Sequence, residues 1–131
     1  MITKEVIDKA ILAHGKWKTR LNDFINGKTP DFDITKAGTD NNCDFGKWLY
    51  GDTVDDNDRK SVYYQKIKDL HADFHKTVKE VAELIVIGKK EDAKKMISDV
   101  NGSYSRISTQ LVLQLVDWEK NLDKKQSENK F

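Results

Sequence analysis

The sequence reads as all-α, an antiparallel helical bundle of the four-helix type, and three features lead there. Apolar residues recur in steps of three and four over three long stretches, glycines and polar clusters separate those stretches, and no run alternates apolar with polar residues as a half-buried strand would. Length and composition agree. With 131 residues, 37% hydrophobic and 34% charged, the chain can form a single domain with a real core, spanning about residues 3–122.

The first stretch, from about Thr3 to Asn26, sets Ile7, Ala10, His14, Trp17, Leu21 and Phe24 on one helical stripe. His14 therefore faces inward, and Gly27 can take the left-handed conformation that ends a helix. Residues 28–42 hold the single proline and several Asp, Asn and Thr residues without a sustained period, which predicts a loop. A short helix follows at Cys43-Asp44-Phe45-Gly46-Lys47-Trp48-Leu49-Tyr50, with Asn41 or Asn42 as its expected cap. Cys43 then lies at the positive end of a helix dipole, which favours its thiolate.

The next connector, Gly51 to Asp58, is acidic, but no register supplies the alternating carboxylates, sixth-position glycine and twelfth-position glutamate of a calcium loop. It is expected to cap the following helix through Asn57 or Asp58. From about Arg59 to Ile87 the stripe runs Tyr63, Ile67, Leu70, Phe74, Val78, Val81 and Ile85. His71 and His75 border it, and Gly88 stops it. Lys89 to about Leu122 repeats the pattern through Ala93, Met96, Val100, Tyr104, Ile107, Leu111, Trp118 and Leu122, with a bend or break expected at Asn101-Gly102-Ser103. Leu111 to Val116 is apolar nearly all round, so a second buried face is implied. A homodimer interface and burial against the amino-terminal helix explain it equally well. Residues 123–131 are polar and read as a flexible tail.

Charge and targeting exclude several function classes. Lys and Arg number 23 against 22 Asp and Glu, with the signs interspersed, so the basic face of a nucleic-acid binder is missing. No apolar run approaches the length of a membrane span, and Met1-Ile2-Thr3-Lys4-Glu5 lacks a secretory start, which predicts a cytoplasmic protein. A single cysteine cannot make an intrachain disulfide. The acceptor pattern Asn101-Gly102-Ser103 is short enough to occur by chance.

The chemistry concentrates at His71 and His75. Residues at i and i+4 lie about 5–6 Å apart at Cβ on one helix face, so both rings can reach one ion at the roughly 2.0–2.1 Å of a zinc–nitrogen bond. The other imidazole and thiol donors in the chain are His14 and Cys43. Taken singly, each has a simpler role: a hydrogen-bonded core histidine, or a small buried hydrophobe. Taken together, three His and one Cys make one tetrahedral zinc shell with nothing left over. Four protein ligands close the position a catalytic zinc keeps open. The zinc-protease pattern also needs a glutamate where this chain has Ala72, and Asp73 points to another face. An enzyme is therefore not expected. A hemerythrin-like di-iron centre needs more histidines and bridging carboxylates than the chain provides. Trp17 and Trp48 read as packing residues around the site, and Trp118 as core or dimer interface.

His14 with Trp17, then Cys43-Asp44-Phe45-Gly46-Lys47-Trp48, then His71-Ala72-Asp73-Phe74-His75, resembles the chemoreceptor zinc-binding domain family. That family's signature is a His, Cys-x-Phe-Gly-x-Trp and His-x-x-x-His. The resemblance implies a cytoplasmic helical bundle, often dimeric, that holds zinc through three His and one Cys. By position these are His14, Cys43, His71 and His75. It further implies regulation of an attached chemoreceptor or diguanylate cyclase in response to zinc or oxidants. No signalling or cyclase domain is present in this sequence, so the expectation is a piece of a longer parent chain or a relative that acts on a partner in trans. A purely structural zinc in a helical interaction module is the alternative.

Overall fold

A computed structural model describes residues 2–129, with side chains through Leu122. Among the described residues seven helices follow in order: α1 (Lys4–Ile25), α2 (Ile34–Ala37), α3 (Asp44–Leu49), α4 (Asp56–Lys60), α5 (Val62–Val86), α6 (Lys90–Ser98) and α7 (Ser103–Asn129). No strand occurs among the described residues, and the fold is an all-α helical bundle. The long helices α1, α5 and α7 pack on one another, and α6 touches all three. No helix among the described residues is long and apolar enough to cross a membrane.

The core follows the predicted stripes. Ile7, Ala10, His14, Trp17 and Leu21 are buried on α1, and Ile67, Phe74, Val78, Val81 and Ile85 on α5. Phe74 is the largest side chain to be fully enclosed. On α7, Tyr104, Leu111, Leu115 and Trp118 are buried, whereas Leu113 is 56% exposed. Glycine ends two of the long elements: Gly27 at φ 93° and Gly88 at φ 86°, the left-handed region a side chain resists.

The structure departs from the sequence reading mainly at element ends. The expected loop at 28–42 contains α2, capped by Asp33, whose carboxylate accepts from the Lys36 N–H. The cap of α3 is Cys43 itself, not Asn41 or Asn42. Asp55 caps the extra turn α4 and Ser61 caps α5, in place of Asn57 or Asp58. Each substitute is a short polar side chain whose acceptor reaches an amide two or three residues ahead. The interruption at Asn101-Gly102 is a full break between α6 and α7, and it turns Val100 out to 78% exposure. Tyr64, not Tyr63, is the buried tyrosine of α5, with its hydroxyl donating to the Leu49 carbonyl at 2.9 Å. The tail 123–131 has helical backbone to Asn129; its side chains, and residues 130 and 131 altogether, lie outside the described residues.

Candidate metal centre

Two helices and one turn carry the four donors. α1 contributes His14 and α5 contributes His71 and His75, all three at inward positions with exposures of 3%, 0% and 1%. Cys43 sits at the start of α3, where its sulfur accepts from the Gly46 N–H at 3.3 Å. The chain can approach this closely because residue 46 is glycine. A Cβ there would collide with the Asp40 carbonyl oxygen, and that carbonyl belongs to the turn delivering Cys43.

Four ligand atoms, one from each residue, all lie within 4.8 Å of one another. His71 Nε2 is 3.3 Å from Cys43 Sγ and 3.1 Å from His75 Nε2. Zinc–nitrogen bonds of about 2.0–2.1 Å at tetrahedral angles demand ligand separations of about 3.3 Å, which the two separations at His71 match, while the remaining ones fall within 4.8 Å. Sequence reasoning singled out these four residues, and the fold brings all four together.

Two of the three imidazoles are oriented by backbone carbonyls. His14 Nδ1–H donates to the Ala10 carbonyl at 2.6 Å, and His75 Nδ1–H donates to the Ala37 carbonyl at 2.9 Å. Each bond places the proton on Nδ1 and turns an unprotonated Nε2 towards the cluster, which is the arrangement metal-binding histidines use. His14 Nε2 is buried and has no hydrogen-bond partner, so it presents a lone pair to the centre of the cluster. That orphaned acceptor is what a cation would satisfy. His71 Nδ1, also buried, has no partner either.

Ala37 is a participant that the sequence reading missed. It acts through its carbonyl, so its side chain gives no sign of the role; only the path of the 28–42 segment across α5 creates it.

Electrostatics favour neutral donors. Burial lowers His14 to about 4, against the partial opposition of its bond to Ala10. Burial, with the nearby His14 and His75, lowers His71 to about 2. His75 is lowered for the same first reason, with Ala37 and Asp40 opposing. Three neutral imidazoles are three competent ligands. The thiol departs from expectation: burial pushes Cys43 up, outweighing the backbone amides of Gly46 and Phe45 that favour the thiolate. The helix start alone does not ionise this sulfur, and forming a metal–thiolate bond there must displace a proton.

Aromatic rings pack around the cluster. Phe45 meets His71 edge-on at 5.2 Å and His14 at 5.9 Å between centroids, and Phe74 meets His14 at 5.3 Å. Trp48 stacks behind Phe45 at 5.8 Å, and Trp17 stands edge-on to His75 at 6.1 Å. Trp17 and Trp48 are therefore wall, as expected. Cys43 is the one donor residue with partial solvent exposure.

No curated protein and no solved structure matches the chain. A profile of the chemoreceptor zinc-binding domain matches residues 14–82, a segment that opens on His14 and takes in Cys43, His71 and His75. Its zinc chemistry fits the three-His, one-Cys cluster. With just over half its length matched and the donors converging, the chain belongs to the chemoreceptor zinc-binding domain family.

Proposed function

We propose that this domain is a regulatory zinc module. His14, His71 and His75 through Nε2, and Cys43 through Sγ, would hold one Zn²⁺. The observation that carries the reading is the convergence of four donors within 4.8 Å with a buried lone pair on His14 left unpartnered. When bound, zinc would supply a tie between α1, α5 and the start of α3. Four protein donors complete a tetrahedral shell and leave no position for substrate, which supports a role other than catalysis.

The regulatory part rests on where each donor sits. The three histidines lie on long helices inside the bundle, whereas Cys43 lies on a short turn and is partly exposed. Oxidising or unbinding that thiolate frees the segment from Ala37 to Leu49 while α1 and α5 stay packed. The same segment carries the carbonyl that orients His75, so loosening it also releases the second donor. Site occupancy thereby shifts the population of surfaces offered to a signalling partner, of chemoreceptor or diguanylate cyclase type, within a cytoplasmic protein. A two-fold homodimer through the outer side of α7, where Leu113 is exposed between the partly buried Val112 and Val116, completes the reading.

Elemental analysis of untagged protein tests the site. The expected result is about one zinc per chain, falling in Cys43→Ala. Absence of bound zinc that added zinc can restore would overturn it. Hydrogen exchange then separates regulation from a purely structural ion. Oxidation of Cys43 should raise exchange across residues 37–49 and leave α5 protected, whereas melting of the whole bundle would mark the ion as structural.

A further inference from the structure

A cleft of about 320 Å³ opens on the cluster between α1, α2 and α3, and its floor includes Cys43 and His75. Of the four donors Cys43 alone is partly exposed, and it lines this cleft. Trp17, Phe32 and Ala37 form an apolar flank. Arg20, Lys36 and Lys47 supply the charge, with Asp33 the single acid in the lining.

Those charges are not equivalent. Arg20 is held by Asp31 at 2.9 Å and lies 4.0 Å over the Trp17 ring. Asp33 spends an oxygen on the Lys36 amide at the start of α2. Lys36 and Lys47 are exposed, and neither side chain is in an ion pair among the described residues. Asp40 and Asp44 act on His75 and Cys43 from outside the cleft: the first is engaged by the Tyr50 hydroxyl, and the second faces a cavity on the α1 side. The positive potential of the mouth thus rests on Lys36 and Lys47.

We propose that this cleft is the exchange port of the metal centre, and that it admits small organic anions bearing a soft sulfur donor, thiolate or disulfide. The proposal deepens the zinc reading and rests on it. A bare divalent cation is repelled by the two ammonium groups, whereas an anionic ligand is steered in. Its apolar part lies against Trp17 and Phe32, and its sulfur reaches the Cys43 edge. With zinc held by the cluster, such anions would exchange with it at Cys43 by ligand substitution, and Cys43 reacts with anionic disulfides in preference to neutral ones. In the latter step the Cys43 thiolate attacks one sulfur of the disulfide. A new S–S bond forms, the old one breaks, the departing thiolate leaves with the electron pair, and the Cys43 proton goes to solvent.

The single cysteine makes the test direct. In chelator-treated protein at low salt, Cys43 is reacted with the dianion dithiobis-nitrobenzoate and with neutral dithiodipyridine. Lys36→Gln/Lys47→Gln should slow the dianion about tenfold, the low end of electrostatic steering, and change the neutral reagent less than about twofold. Raising the salt should erase the difference. The control Lys90→Gln/Lys94→Gln on α6 carries the same loss of charge and should leave both rates unchanged. In zinc-loaded protein, transfer of zinc to an anionic thiol chelator should slow in the cleft variant alone. Equal rates in the wild type and the cleft variant, or equal slowing by the α6 control, overturn the port. Failure of the zinc reading would show separately, as no bound or restorable metal by elemental analysis.

Discussion

Gly46 is the residue on which the approach of Cys43 to the histidines depends most sharply. Its neighbour at the site of a Cβ is backbone, the Asp40 carbonyl, so a side chain there must push the turn away from the cluster. Gly46→Ala should cost about 1–3 kcal/mol, the range of core overpacking, and should lower zinc content along with the thermal midpoint. An alanine variant with full zinc would show that the turn yields. The histidines set a pH dependence of their own. Burial holds His14 at about 4 and His71 at about 2, against an ordinary value of 6.5, so the unfolded chain takes up protons that the folded chain refuses. Above 6.5 both states are neutral and these groups contribute nothing. As pH falls from 6.5 towards 4, the metal-free protein should lose stability, with the His14 contribution levelling off once its folded value is passed. Urea midpoints of chelator-treated protein between pH 7 and 5, above the carboxylate range, check this; a flat profile would contradict it.

At the scale of elements, each helix stop behaves as a separable device. Gly88 at φ 86° has open space around its Cα, so an alanine there meets no neighbour and suffers only the left-handed backbone. Gly88→Ala should destabilise by about 1 kcal/mol without altering zinc content, as read by denaturant midpoint and elemental analysis. The long helices and their stops were legible because a 3.6-residue period and a glycine leave marks on the sequence itself. The short elements were not. α2 has four residues and α4 five, too few for a period to repeat, and both start on aspartates that read equally well as loop. The same limit explains Cys43: as the cap of α3 it uses sulfur in a place where oxygen is the usual acceptor. The four donors could be read because their side chains carry the chemistry. Ala37 could not, because its carbonyl does.

For the whole molecule, the bundle and the cluster are two sources of order that can be titrated apart. Phe74, fully enclosed and 5.3 Å from the His14 ring, joins them. Phe74→Ala should cost about 3–5 kcal/mol in metal-free protein, and added zinc should restore part of the loss in proportion to the logarithm of its free concentration. No recovery with zinc would mean that the donors do not converge once the core is opened. The break between α6 and α7 completes the division, since every donor precedes it. That order has a consequence during synthesis, when chains emerge amino terminus first at about 5–20 residues per second. All four donors are synthesised before α7. With zinc bound as proposed, a nascent chain would meet the ion before its longest helix is complete, and the availability of zinc in that interval would bear on how many newly made molecules mature, not only on the state of finished ones.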